Sequence, residues 1–235
     1  MSLHDFKVLT FDVVGTLIDF ERGIIDYMRE VSGADPSRLA DDAILESYRR
    51  SRNFTGRDPY PDDLVRGYAA MATDLGLPTG PRLGEGLRDS VRRWPAFPDS
   101  VAALKRLRRR YRLVAMTNAQ RWALAHMEKT LAWPFHDTVT VDDARAEKPD
   151  PQFFAFARGR LSAAGYRLED NLHVAQSQYH DIGVARRLGH AVCWIERRRG
   201  LKGSGGTQEV PELTKPDYHF ATLAALADAV EAEAL

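Results

Sequence analysis

Absences bound this chain before any motif does. It carries one cysteine, Cys193, in 235 residues, so no disulfide can form within it, which fits a reducing cytoplasm. Its formal charge cancels, 33 Lys and Arg against 33 Asp and Glu. Nothing in that balance calls for a nucleic acid or a membrane surface as partner. No apolar run approaches the roughly 20 residues of a bilayer span, and the N-terminus lacks the apolar core of a secretion signal. A cytoplasmic location is the expectation. Cys193 itself lies in the apolar run Ala191-Val192-Cys193-Trp194-Ile195 and reads as an inert core thiol, with Trp194 packing in the sheet. The basic run Lys105–Arg110 reads as a solvated helix end, where cations are favoured.

What is present has a rhythm. Short apolar runs at Val8–Phe11, Leu113–Met116, Thr138–Val141, Leu172–Ala175 and Ala191–Ile195 read as buried strands. Helical patterns lie between most of them, at Ser100–Arg110, Arg121–Thr130, Pro151–Ala164 and Asp181–Leu188, with a closing helix over Leu223–Leu235. Strands alternating with helices predict an α/β fold whose parallel sheet is covered on both faces. From about Phe20 to Trp94 the rhythm breaks. Helical periodicity appears at Ile24–Val31, Asp41–Ser51 and Asp62–Leu75 without a convincing strand, and Pro and Gly cluster from Pro78 to Gly86. This predicts an all-helical insert over 20–94, between core segments 1–19 and 95–235. Four glycines between Gly200 and Gly206 read as a mobile loop.

Four stations follow strands and carry chemistry. Asp12 and Thr16 come after the first, in Asp12-Val13-Val14-Gly15-Thr16-Leu17; Thr117-Asn118 ends the second; Lys148 sits in Glu147-Lys148-Pro149-Asp150; and Asp181 closes Val174-Ala175-Gln176-Ser177-Gln178-Tyr179-His180-Asp181. Open α/β sheets bind ligands beyond the carboxyl ends of their strands. A carboxylate attacks when it is ionised and oriented, and the Lys148 ammonium favours ionisation of Asp12. Thr117 and Asn118 offer donors to an anionic small molecule. Asp181 can hold Lys148 or a water. Each station alone also reads as a turn, a loop or a cap; the ordered set is far more specific.

That ordered set resembles the haloacid dehalogenase superfamily, over nearly the whole chain. The resemblance implies a Rossmann-like parallel sheet core with an inserted all-helical cap domain, a nucleophilic Asp12, an anion contact at Thr117, a charge-balancing Lys148 and an acidic fourth station at Asp181. Most members are magnesium phosphatases with a second Asp two residues after the nucleophile and an acid where this chain has Gln176. Here Val14 fills the first position. An alkoxide leaving group needs a general acid, a contribution of about 10²–10⁴-fold; a halide needs none. The neutral amide of Gln176 weakens a site for Mg²⁺, which takes oxygen ligands.

Both departures point to the type II 2-haloacid dehalogenases, whose fourth motif resembles Gln176–Asp181. The expectation is metal-independent hydrolysis of short 2-haloalkanoic acids through an aspartyl ester, with no cofactor. A magnesium phosphatase and a non-catalytic binding protein on the same scaffold are the alternatives. Members of that branch usually carry an aromatic residue at Val14 and Tyr at Phe154. The resemblance also implies a substrate-contacting cap arginine. Arg49 is the choice by position, with Arg50 and Arg52 as rivals and a surface role as the bland reading. Thr16, Thr117 and Asn118 complete the substrate contacts. Val14, Phe154, Gln176, Ser177 and His180 are candidate pocket residues, and Tyr48, Phe54 and Trp94 are candidate walls. A homodimer is the candidate assembly.

Overall fold

The computed structural model describes residues 2–33, 39–52 and 58–233. Six parallel strands form one sheet in the order β3-β2-β1-β4-β5-β6: β1 (Val8–Phe11), β2 (Arg112–Met116), β3 (Asp137–Val139), β4 (Asn171–Ala175), β5 (Ala191–Ile195) and β6 (Tyr218–Phe220). β1 is central. Its Phe11 aligns with Ala115 of β2 and Val174 of β4. Every β1 side chain is buried, as expected of a strand with helices on both faces. The connections run one way from β1 through β2 to β3 and then reverse at β4, so a topological switch point lies between β1 and β4. Such a crevice is where open α/β sheets bind ligands. Phe11, Met116 and Ala175 end their strands at that edge, so Asp12, Thr117 and Gln176 emerge side by side.

The core helices are α5 (Ser100–Leu107), α6 (Arg121–Thr130), α7 (Val141–Ala144), α8 (Pro151–Ala163), α9 (Gly183–Arg187) and α10 (Leu223–Ala232). Before them, four helices interrupt the path from β1 to β2: α1 (Phe20–Ser32), α2 (Asp41–Ser51), α3 (Leu64–Leu75) and α4 (Pro81–Ser90). They pack on one another through buried Ile24, Met28, Ile44, Leu64, Tyr68, Met71 and Leu87. The outgoing and returning segments lie side by side at a neck. Asp19 N–H donates to Pro95 C=O at 2.8 Å and Phe97 N–H to Leu17 C=O at 3.0 Å.

Several local expectations are corrected. α4 forms where Pro and Gly suggested a break. Pro81 stands at its first turn, where no N–H is needed, and Gly86 leaves room for the Tyr27 hydroxyl, which would lie 2.1 Å from an added Cβ. The third strand ends at Val139, and Val141 starts α7. Asp181 belongs to a wide π turn, Gln178–Ile182, that precedes α9. β6 was not anticipated; its three residues are too few to show a period. Among the described residues no helix is long and apolar enough to cross a membrane. Cys193 is fully buried, and burial pushes its thiol far above the ordinary value. Trp194 stacks on His219 at 4.4 Å. Phe54 lies outside the described residues.

Candidate active site

The strand ends and the helical insert enclose a cavity of about 390 Å³, lined by Asp12, Val14, Thr117, Asn118, Lys148, Gln176, Ser177, His180 and Asp181 from the sheet side, and by Phe20, Tyr48, Arg52 and Tyr60 from the insert. Three charged groups form its floor. Lys148 Nζ donates to Asp12 Oδ1 at 2.9 Å, to Asp181 Oδ1 at 2.6 Å and to the Met116 carbonyl at 2.8 Å. All three hydrogens of the ammonium are therefore used. Thr16 Oγ1 donates to the other Asp12 oxygen, Oδ2, at 2.7 Å, and accepts from Gln176 N–H at 2.9 Å. Asp12 is 6 % exposed and Lys148 and Asp181 no more than 1 %, so these contacts act with little screening by water.

Burial dominates the titration of each group. It raises the Asp12 carboxyl above the ordinary value, against the neighbouring Lys148, with Asp181 raising it further and Thr16 opposing. Asp181 behaves oppositely: burial would raise it, but Lys148 and His173 together hold it at about 2. Burial works against the Lys148 charge, yet Asp12 and Asp181 keep its value above that of an ordinary amine. The floor thus holds a firm ammonium, a firm carboxylate at Asp181, and a carboxylate at Asp12 held with difficulty.

Asp12, Thr16, Thr117, Asn118, Lys148 and Asp181 are brought together, as the spacing suggested. Asn118 faces the cavity, but its side chain also grips Lys148: its Nδ2 donates to the Lys148 carbonyl at 2.9 Å, and Lys148 N–H donates to its Oδ1 at 2.7 Å. Thr117 Oγ1 accepts from Ala119 N–H at 3.1 Å. Gln176 and Ser177 line the wall; Ser177 Oγ pairs with His180 Nδ1 at 3.1 Å.

Other candidates fall elsewhere. Phe154 is not on the cavity wall; it is buried in the core with its ring edge-on to His173 at 5.6 Å. Trp94 is buried behind Tyr60. Arg49 turns to the loop after β5, donating to Ser204 Oγ and, at 3.0 Å, to the Gly205 carbonyl. Arg50 pairs outside with Glu46 and Asp74. Arg52 is the arginine on the cavity wall. Its Nη2 forms an ion pair with Asp63 Oδ2 at 2.6 Å, its guanidinium lies 5.7 and 5.6 Å from the Tyr48 and Tyr60 ring centres, and its buried Nη1 has no hydrogen-bond partner. Burial opposes its charge, but Tyr48 and Asp63 outweigh this and raise its value. The buried Tyr60 hydroxyl is likewise without a partner. Arg52 caps the C-terminus of α2, four residues after Tyr48. Gly206, Thr207 and Gln208 also line the cavity, and no local signal marked them.

The donor set is poor for a metal ion. Among the described residues no three His, Cys, Asp or Glu side chains are grouped to hold one. Besides Asp12 the wall carries the carboxylates of Asp181 and Glu147; Asp181 has its Oδ1 bonded by Lys148 and His173 and only its Oδ2 unpartnered, and two further wall positions are the amide of Gln176 and the apolar Val14.

The model of the haloacid dehalogenase-like hydrolases matches residues 6–189, and the chain belongs to that family of hydrolases. Among curated relatives it is 32% identical to haloacetate dehalogenase H-2 of Moraxella sp. (strain B), over 83% of this chain and 88% of that one. It is 27% identical to an (S)-2-haloacid dehalogenase of Pseudomonas putida, over 84% of this chain and 88% of the relative. The fold is shared with the L-2-haloacid dehalogenase of Xanthobacter autotrophicus (TM-score 0.72, 18% identity, 97% of this chain and 99% of that one). It is shared equally with the HAD-hydrolase YfnB of Bacillus subtilis bound to magnesium (TM-score 0.76, 17% identity, 96% and 99% covered). The fold alone therefore does not decide whether a magnesium ion takes part.

Proposed function

We propose that this protein hydrolyses short 2-haloalkanoic acids through an ester on Asp12, without a metal ion. The reading rests above all on the surroundings of Asp12: an ammonium and a hydroxyl hold its two oxygens, while the wall residue two positions on, Val14, can donate no proton. The site is equipped to make a nucleophile, and at Val14 it offers no acid for a leaving group in the first displacement, where a halide needs none. The names of the curated relatives support the same class.

In this reading an Asp12 oxygen attacks C2 of the substrate from the side opposite the halogen. The C–O bond forms as the carbon–halogen bond breaks, and the halide leaves with the electron pair. Lys148 keeps Asp12 ionised and Thr16 fixes its rotation. Thr117 and Asn118 receive the substrate carboxylate. Arg52, not Arg49, faces the departing halide, with the unpartnered Tyr60 hydroxyl beside it. Water then attacks the ester carbonyl carbon of Asp12 and gives a proton to Asp181. Collapse expels the 2-hydroxy acid, whose oxygen takes that proton, and Asp12 is restored. The segment 20–94 acts as the cap that excludes competing water.

The test is halide release from 2-chloropropionate in EDTA, beside Mg²⁺-dependent release from phenyl phosphate. Halide without metal is the expected result. Phosphate release only with Mg²⁺ overturns it in favour of a phosphatase, and no turnover of either across a broad panel favours a binding protein. A single turnover in ¹⁸O-water checks the ester separately, since label would enter the Asp12 carboxylate.

A further inference from the structure

Behind the floor of the cavity a polar chain runs into the sheet. His173, on β4, is 1 % exposed. Its Nε2 lies 3.0 Å from Asp181 Oδ1 and its Nδ1 lies 3.0 Å from Thr10 Oγ1 of β1. Thr10 and His173 are register partners in adjacent strands. Thr10 Oγ1 also accepts from Asn171 Nδ2 at 3.2 Å. A histidine on a strand whose residues are all buried is costly unless its polar atoms are matched.

The partners fix which nitrogen carries the hydrogen. Thr10 has one hydroxyl hydrogen and already accepts from Asn171. Donating it to His173 Nδ1 leaves Nε2 to donate to Asp181, so the Thr10 hydroxyl hydrogen and the ring hydrogen are both used. Reversing the Asn171 amide would turn Thr10 into its donor and Nδ1 into a donor to Thr10. The bare Nε2 would then face a carboxylate oxygen at 3.0 Å, acceptor against acceptor. Both donors to Asp181, Lys148 and His173, therefore meet on one oxygen, Oδ1. Oδ2 is buried without a hydrogen-bond partner, and Asp181 lies on the cavity wall. Phe154, packed edge-on to His173, supplies a ring and no competing donor.

We propose that Thr10 and His173 form a positioning relay that pins Asp181 by Oδ1 and so leaves Oδ2 as the atom that takes the proton of the hydrolytic water. The second half rests on the ester reading given above. His173 touches neither substrate nor Asp12. Its effect falls on the second step, in which water loses a proton to Oδ2 as its oxygen bonds the ester carbon, and it leaves the first step, the attack of Asp12 on C2, nearly untouched.

Two measurements on the full-length protein test this. Ring ¹⁵N NMR of the resting enzyme, with the His173 signals identified by their loss in His173→Phe, is expected to show the hydrogen on Nε2. A hydrogen on Nδ1 alone overturns the relay, whatever the enzyme turns over. Rapid-quench mass analysis with 2-chloropropionate is expected to show ester building up on His173→Phe, with its hydrolysis slowed about 10–100-fold and its formation within about threefold of the parent. His173→Gln, which retains a donor, is expected to recover part of the hydrolysis rate. An equal fall in both steps, or no fall in either, overturns the positioning role. Failure of the parent to form any ester with 2-haloacids defeats the dehalogenase reading and the hydrolytic half of this proposal with it, while the NMR result still judges the relay.

Discussion

Asn118 and Lys148 are clasped by two reciprocal hydrogen bonds, side-chain amide to main chain, at 2.9 and 2.7 Å. The clasp fixes the loop from which the Lys148 ammonium reaches Asp12 and Asp181. Asn118 thus supports the ammonium while also lining the cavity. Asn118→Ala is expected to lower kcat by about 10–100-fold, the scale of a small misplacement in a catalytic group, with a smaller effect on melting. Steady-state kinetics beside a thermal melt separate the two; unchanged kcat would remove Asn118 from the machinery.

Lys148 lies between two buried carboxylates at 2.9 and 2.6 Å. Lys148→Met leaves both without their counter-ion, and breaking a buried pair typically costs about 3–5 kcal/mol. Adding Asp181→Asn should restore part of the lost stability. Urea denaturation at neutral pH of the single and double variants measures this, and an additive outcome would deny the coupling.

The two carboxylates give opposite pH signs. Asp181, held at about 2 in the fold against 3.8 for an ordinary aspartate, contributes stability that is present above the unfolded value and is lost as pH falls through about 2. Asp12 is raised, so its contribution is present below the unfolded value and is lost as pH rises through its folded value. Asp12→Asn should therefore melt no lower than the parent at neutral pH, and its advantage should shrink as pH falls toward 4, while ester formation is abolished. Melting curves across that range check the sign.

Arg52 and Arg49 should part in kinetics. Arg52→Lys keeps the charge but loses the planar fork that serves Asp63 and the cavity together. It is expected to cost about 10²-fold or more in kcat/KM, the scale of removing one donor from a developing anion. Arg49→Lys, directed at Ser204 and Gly205, should change kcat/KM by about threefold at most. Equal losses would return Arg49 to the substrate.

Much of the floor was legible because each station follows a strand. Strand ends converge in an open parallel sheet, so Asp12, Thr117, Lys148 and Asp181 could be placed together from spacing alone. Side-chain direction was harder. Arg49, Arg50 and Arg52 share barely one turn of helix, and only the packing of α2 on α3 and on the loop after β5 decides which one faces the cavity. Phe154 was assigned to the pocket from resemblance, but the turn of α8 drives it into the core. His173 had a signal, a histidine in a buried apolar strand, whose meaning needed the register with Thr10. The loop wall had none, since its reach to the cavity depends on contacts some 190 residues distant from Asp12.

At Gly206 that loop meets the insert by bare backbone. A Cβ added at Gly206 would stand 2.8 Å from the Phe20 ring and 3.2 Å from Tyr48, closer than carbon atoms tolerate without displacement. Gly206 N–H also donates to Glu21 at 2.9 Å. The roof of the cavity is therefore set to the thickness of a peptide plane lying on two rings. One methyl group there would wedge the loop away from α1 and α2 together, so the width of the cavity is calibrated by a residue that has no side chain to contribute.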